Sequence, residues 1–493
     1  MKEIIMKNIL YILALVAATN TYAANDSMLQ LLDVLKNKGS ITQAQYEELK
    51  SAAKADEEIN NAQGADVGKK VEQSLGQLGV PSLTPGKFEV KDKTGDFGWR
   101  AIGRIHYDAA MFNGDGKYNQ ADNSQVRRMR LGVAGTLNTN WKFKGEYDFK
   151  ELDNGIAGLK DAYIEYVGKL PGLDPAAHPS SIKIGQSHEP FSMELINSSN
   201  NGMFLERAVP VNTIANFVGE RNPGIKFSTW TQNWTYTVGV FATKQQETVS
   251  AVSVDCVVPA GPPGTKFTCT GSGGQEDTSP RDFNDGHAVT GRVTWAPWHD
   301  GGHVLHFGAA TSYREFLDRN PVRLRERWEV NETNTRLIDT GNFAADNLMR
   351  GEFEAALIEG PFTLQGEYLA MRVNARTINP FFQGYYVQAG YFLTGESRPY
   401  NFKDGIWDNV KPQSQVGKGG YGAWELVSRF SEMDLNDETI TGGRERNVTV
   451  GLNWWPVTNV RFQTNYVKVL DVEGGKYAGT EPSAVTMRAA VFW

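Results

Sequence analysis

From about residue 95 to the end of the chain, apolar and polar residues alternate with period two. Trp99, Ala101, Gly103, Ile105, Tyr107 and Ala109 fall on one face of a strand, with Arg100, Ile102, Arg104, His106 and Asp108 on the other. Met129, Leu131 and Val133 oppose Arg128, Arg130, Gly132 and Ala134 in the next run. Trp141, Phe143, Gly145, Tyr147 and Phe149 oppose Lys142, Lys144, Glu146, Asp148 and Lys150 in the third. Successive side chains of a strand point to opposite faces, so each run predicts a strand with one apolar and one charged side. A soluble sandwich would turn the aromatic side into a core. A charged side that recurs strand after strand through to Trp493 predicts lipid outside and water inside.

The breaks between runs are of two kinds. Short turns are expected at Asn138-Thr139-Asn140, Thr231-Gln232-Asn233, Glu359-Gly360-Pro361 and Pro456-Val457-Thr458. Long loops are expected at about 190–220, 245–285 and 315–347, and one short-side connection, 395–419, is unusually long. Alternation of short and long connections is the habit of outer-membrane barrels. The count predicts an all-β transmembrane fold, an antiparallel barrel of about sixteen strands with both ends on the periplasmic side. Trp141, Trp234, Trp298, Trp454 and Trp455 collect beside the short turns, as an interfacial girdle would. The last run, Val485, Met487, Ala489, Val491 and Trp493, alternates outward and ends on an aromatic residue.

The N-terminal part reads differently. Lys2 and Lys7 precede an apolar run from Ile9 to Ala18 and a small-residue exit at Thr21-Tyr22-Ala23, the pattern of a secretory signal peptide over 1–23. Met28, Leu31, Leu32 and Leu35 then recur at helical spacing, and Thr42 with Gln45 forms a capping box for a second helix. Residues 24–80 are therefore expected as a periplasmic helical segment, coiled-coil-like, with a linker over 81–94 and the barrel over 95–493. So short a helical pair cannot hold a core alone and calls for self-association or a partner.

Composition changes this picture little. A net charge of −7 excludes a globally basic nucleic-acid binder. A mean hydropathy of −0.42 suits a membrane protein only when apolar residues take every second position. Cys256 and Cys269 share a Pro/Gly/Ser-rich loop; in an exported protein they are expected to form a disulfide, with two free thiols as the alternative. No nucleophile elbow, zinc-binding His pair or phosphate loop occurs, so no enzyme, metal site or cofactor is expected.

Several stretches resemble the phosphate-selective porin O and P family. They include Gly103-Arg104-Ile105, Arg127-Arg128, Asp161-Ala162-Tyr163, Gly185-Gln186 to Pro190-Phe191 with Glu194, and Glu206-Arg207. Gly384-Tyr385-Tyr386, the run FLTGESRPY at 392–400, GAWEL at 422–426 and Gly451-Leu452-Asn453-Trp454-Trp455-Pro456 continue the resemblance. It implies a homotrimeric sixteen-stranded porin whose third loop, at about 190–220, folds inward, with N-terminal helices projecting into the periplasm. It also implies a ladder of arginines and a cluster of lysines that attract phosphate.

By alternation, the basic residues expected to line the pore are Arg100, Arg104, Arg128, Arg130, Lys142, Lys144, Arg292, Arg314, Arg350 and Arg429, with Arg461 and Arg488 beside them. A row of guanidinium groups gives anions successive steps without one deep trap. The competing reading pairs them with carboxylates on the same face: Glu146, Asp148, Asp161, Glu165, Glu352, Glu354, Glu367 and Glu425. The third loop offers His188, Glu194, Glu206 and Arg207 as constriction residues and contains no lysine, which departs from a phosphate filter. Arginines at 319, 323, 325, 327 and 336 suit a mouth that funnels anions or meets lipopolysaccharide, or a solvated loop. The expected activity is passive diffusion of small polar or anionic solutes, with phosphate or polyphosphate as candidates. The alternatives are a broad nutrient porin and a structural or adhesive barrel of little conductance.

Overall fold

The computed structural model describes residues 88–493 apart from 93, 116, 151–157, 171, 173–177, 218, 243–253, 258–267, 272–285 and 376–377. Of 254–257, 268–271 and 317–321 it describes the backbone alone; before 88 it describes 36, some positions of 42–51 and the backbone of 82–84. The leader over 1–23, the Met28–Leu35 helix and the 57–80 stretch lie outside the described residues. The chain divides into two compact units, Met1–Ser82 and Leu83–Trp493. Within the first, the backbone N–H of Tyr46 donates to the Thr42 carbonyl at 2.9 Å, so a helix follows Thr42. The Tyr46 ring is buried under the ammonium groups of Lys36 and Lys50.

The second unit is a closed antiparallel barrel of sixteen long strands. They are β1 (Gly98–Asn113), β2 (Asn123–Leu137), β3 (Trp141–Asp148), β4 (Leu159–Gly168), β5 (Ser180–His188), β6 (Arg221–Trp230), β7 (Trp234–Ala242) and β8 (His287–Asp300). There follow β9 (His303–Val322), β10 (Phe343–Glu359), β11 (Phe362–Asn374), β12 (Phe381–Phe392), β13 (Ala423–Asp437), β14 (Ile440–Val457), β15 (Val460–Glu473) and β16 (Ser483–Phe492). Every strand pairs with its sequence neighbours, and β16 closes on β1 from Ser483↔Asn113 to Phe492↔Arg104. Closure removes the sheet edges, so every backbone group in the hydrocarbon finds a partner. The lipid-facing side carries the apolar half of the alternation, with Ile184, Val240, Trp295 and Phe353 all exposed.

The seam depends on the terminal residue. Trp493 and Gly103 exchange backbone hydrogen bonds at 3.1 Å in both directions. The indole lies so close over Gly103 that a Cβ there would meet it at 2.4 Å. A glycine is required because nothing larger fits beneath the ring.

Three connections fold into the lumen and bury apolar residues there. Loop 3 (189–220) places Phe191, Leu195, Val209, Val211 and Ile214 against Leu348, Leu369, Met371, Phe382 and Met433 of β10–β13. Residues 323–342 after β9 bury Trp328, Val330 and Leu337 against Val467 and Val469 of β15. The long periplasmic connection, 393–422, inserts Trp407, with Tyr400, Phe402 and Ile406 packed on the Met203 and Phe204 side chains of loop 3. The sequence gives no reason to expect this last insertion. The inner wall of β10–β13 is therefore partly apolar, where a simple water-filled barrel would be polar.

Two sequence expectations change. Two connections on the long-loop side, 375–380 and 438–439, are short, so the length asymmetry is incomplete. Trp455 does not join the girdle. Plain alternation sends it inward with Asn453, fully buried against Phe392, while Trp454 stacks on Trp424 at 5.1 Å outside.

Gly103→Val should force the Trp493 indole off the seam and cost about 1–3 kcal/mol, as overpacking does. A smaller heat-modifiable folded band in cold detergent electrophoresis is expected. An undiminished band would show that the seam accepts a larger residue.

Candidate functional site

Loop 3 crosses the lumen, and ion pairs to the wall hold the loop there. Glu189, at its start, meets Arg350 of β10 at 2.8 Å and also pairs with Arg314 of β9; both arginines are almost wholly buried. The next residues form a short helix, Met193–Ile196, capped by the Ser192 hydroxyl. Glu194 faces Arg429 of β13 at 3.4 Å, and Arg429 also holds Glu329 from the 323–342 insert at 2.5 Å. Glu206 accepts two hydrogen bonds from Arg127, at 2.8 and 2.9 Å, with Arg488 at 3.0 Å and Arg128 at 3.9 Å. Burial would raise the Glu206 carboxyl, but Arg127 and Arg128 outweigh it and hold the group well below the ordinary carboxylate range. Glu220, beside Arg207 and Arg221, is depressed in the same way.

Arg127 was not among the expected lumen residues, because alternation puts it on the lipid face. A bulge explains the difference: His106 pairs with Arg128 and Tyr107 with Val126, so Arg127 is the extra residue. Arg128 and Arg127 then both reach Glu206 in the lumen.

The other expected cations divide into two groups. Arg292, Arg314, Arg350 and Arg429 point inward but are sealed behind the inserts, each bound to a carboxylate. Arg130 is held by Asp148 at 2.7 Å and Glu146 at 3.3 Å, and Arg488 by Asp108. Among the described residues Arg461 forms no ion pair, and it donates to the Gly202 and Ser199 carbonyls of loop 3. Arg104 reaches the Ser198 and Ser199 hydroxyls at 3.2 and 2.9 Å, with Glu146 farther off at 3.7 Å. Arg100 and Lys142 are exposed and form no ion pair among the described residues. Arg207 does not join this wall; it pairs with Glu220 at 2.6 Å. His188 ends β5, so the loop begins at Glu189.

The space left open lies along β1–β4. A cavity of about 570 Å³ is lined there by Arg100, Arg104, Lys142 and Lys144, with Glu89, Glu146, Glu165 and Asn200 facing them, and Lys144 is paired with Asp161 at 2.5 Å and Glu146 at 3.4 Å. One register row starts from its lining residues Lys142 and Glu165 and runs on past it, Lys142↔Glu165↔Lys183↔Lys226 on β3 to β6. Like charges directly opposite are unfavourable unless something negative lies between them. Here one carboxylate serves the row, with Lys183 at 3.7 Å and Lys403 of the periplasmic insert at 3.0 Å from Glu165. Lys226 donates to the His188 carbonyl at 3.1 Å. Lys183 and Lys226 were readable in the sequence, since Ile182/Ile184 and Ile225/Phe227 flank them. Lys403 was not, because no alternation places an insert.

In the loop between β7 and β8, a two-stranded ladder sets Cys256 directly opposite Cys269 in the backbone register. Their side chains lie outside the described residues.

A closed barrel with an apolar exterior, a charged lumen and inward loops defines an outer-membrane channel of the porin class. The chain belongs to the phosphate-selective porin O and P family, whose model matches residues 100–493. Porin O of Pseudomonas aeruginosa is 27% identical over 427 residues, covering 78% of this chain and 86% of that protein. An uncharacterized protein of Caulobacter vibrioides is 28% identical over 390 residues, covering 77% of this chain and 70% of that one. Among solved structures, a loop-deletion mutant of OmpT from Vibrio cholerae is similar with a TM-score of 0.48 at 10% identity, covering 81% of this chain and all of that one. An anion-selective porin from Comamonas acidovorans gives a TM-score of 0.43 at 13% identity, covering 80% of this chain and 99% of that one. The protein is located in the outer membrane.

Two outcomes follow from the loop 3 pairs. Glu206→Gln leaves Arg127, Arg128 and Arg488 without their shared carboxylate and should destabilise the barrel by about 3–5 kcal/mol, the cost of breaking a buried pair. Unchanged denaturant unfolding would contradict this. Because the folded-state values of Glu206 and Glu220 are depressed, their contribution is present above about pH 4.3 and lost as pH falls through the lowered values. The stability difference between wild type and Glu206→Gln in denaturant unfolding should therefore hold steady from about pH 8 to 5 and shrink only under strong acid.

Proposed function

We propose that the protein is a passive channel that favours small anions, with phosphate and polyphosphate as candidate solutes. The observation that carries the reading is an imbalance. Along the open side, Arg100 and Lys142 form no ion pair among the described residues, although Glu89 and Glu165 stand opposite them in the register, and Lys183 shares Glu165 with Lys403. Cations that are buried behind the inserts are neutralised and contribute little field. An anion moving along β1–β4 thus meets a succession of guanidinium and ammonium groups in a confined, poorly screened space. The Ser198 and Ser199 hydroxyls, which accept from Arg104, add polar groups where loop 3 meets β1.

A broader nutrient channel is the second reading. It is favoured by Arg207, whose charge is cancelled by Glu220, and by the lack of any lysine in loop 3. A low conductance is expected in either case, since three inserts share the lumen. We also propose a homotrimer, as the family resemblance implies, and a Cys256–Cys269 disulfide, which the opposed register of the ladder supports. Partners would be the solute, the surrounding lipid and lipopolysaccharide.

In planar bilayers, millimolar phosphate should reduce chloride current through the wild-type channel. Replacing Arg104 and Lys142 by alanine should weaken that block by about tenfold, the scale of one lost charge-assisted contact of 1.4 kcal/mol. Full conductance without any phosphate block would favour the broad channel, and no conductance would favour a structural barrel.

A further inference from the structure

Three carboxylates that the channel reading does not use stand together behind loop 3. Glu352 and Glu354 lie two residues apart on β10, and Glu367 of β11 sits directly opposite Glu354 in the register. All three are buried, and their oxygen atoms lie within 4.8 Å of one another. Like charges opposed on neighbouring strands repel, and the repulsion grows away from water. One guanidinium answers them, Arg292 at 2.5 Å from Glu354, and His306 shares that oxygen at 2.9 Å.

Loop 3 is docked onto the same three groups. The backbone N–H groups of Ser192, Met193 and Glu194 donate in turn to Glu352, Glu354 and Glu367, at 3.1, 2.9 and 2.7 Å. The Ser192 hydroxyl adds a bond to Glu367 at 2.5 Å. These dipoles soften the repulsion without cancelling charge. Three carboxylates against one arginine leave two negative charges over. A separate sign of a missing partner is the second oxygen of Glu352, which is buried and accepts no hydrogen bond from the described residues.

We propose that Glu352, Glu354 and Glu367 hold one divalent cation of the calcium class, which ties the first turn of loop 3 to the barrel wall. The donor set is hard oxygen, as calcium prefers. Oxygens at about 2.3–2.6 Å from such an ion lie up to about 5 Å apart, which is the spread found here. The charge of the ion equals the excess left by Arg292. Magnesium suits the site less well, because it demands a tighter octahedron and sheds its water reluctantly.

The test is calorimetric titration of calcium chloride into the purified, detergent-solubilised full-length channel after chelator treatment. One saturable site per chain is expected, weakened at least tenfold in Glu352→Gln and in Glu367→Gln. The control Glu432→Gln with Glu473→Gln, on the outer rim, should leave it unchanged. Calcium should also raise the unfolding midpoint of the wild type and not that of Glu352→Gln. The absence of saturable binding, or equal binding in both cluster variants, overturns the proposal. So does a glutamine variant more stable than a calcium-indifferent wild type, because the cluster would then hold a proton instead of a metal. Should the glutamine variants fail to fold, Glu352→Asp keeps the charge and withdraws the oxygen: weakened binding supports the site, and unchanged binding counts against it.

Discussion

The interior of this barrel depends on pairing wall arginines with carboxylates carried by the loops. An arginine removed from water is costly unless hydrogen-bonded charge or carbonyl oxygen replaces the water. Glu189, Glu194, Glu206 and Glu329 meet that need for Arg350, Arg314, Arg429, Arg127 and Arg488. The apolar residues of loop 3 add a small core against β10–β13, but hydrophobic contact does not choose a direction. The ion pairs do, because each carboxylate has a particular guanidinium to reach. Loop 3 is thus at once the obstruction in the pore and the group that neutralises half of its wall.

That division sets up the transport path. Inserts and wall cancel one another's charge from β8 round to β14, and the open space runs along β1–β4. Arg100 and Lys142, which form no ion pair among the described residues, line that space. The insert 393–422 reinforces the arrangement from the periplasmic end. Arg398 within it pairs with Glu425 and donates to the Asn201 carbonyl of loop 3 at 3.1 Å, and Asn201 donates in return to the Trp407 carbonyl. Obstructions entering from opposite ends of the barrel therefore brace each other.

The barrel was legible in the sequence because period-two alternation is a local signal that survives without knowledge of contacts. Strand number and the inward set from Arg100 to Arg488 followed from it, and the family from the motifs carried on those strands. What alternation could not supply was anything that breaks its own count. The bulge at Arg127 turned a residue to the other face, whereas Trp454 and Trp455, being adjacent on one strand, could never both face lipid. Pairing was equally hidden: Glu206 and Arg127 are 79 residues apart, and Glu329 and Arg429 are 100 apart. Glu189 was passed over although it anchors two arginines, because nothing local marks a loop's first residue as a pivot. The carboxylate trio on β10 and β11 lacked any metal-ligand spacing, since its members meet only across a strand pair.

The most direct test of the account is the zero-current potential of the single channel across a tenfold KCl gradient. With the loop-side arginines neutralised and the β1–β4 side left positive, the sign should be that of an anion-preferring pore. It should move toward cations when Arg100 and Lys142 are replaced by glutamate. A cation-preferring wild type, or a potential that ignores both replacements, would contradict the claim that these unpaired residues set the field along the path.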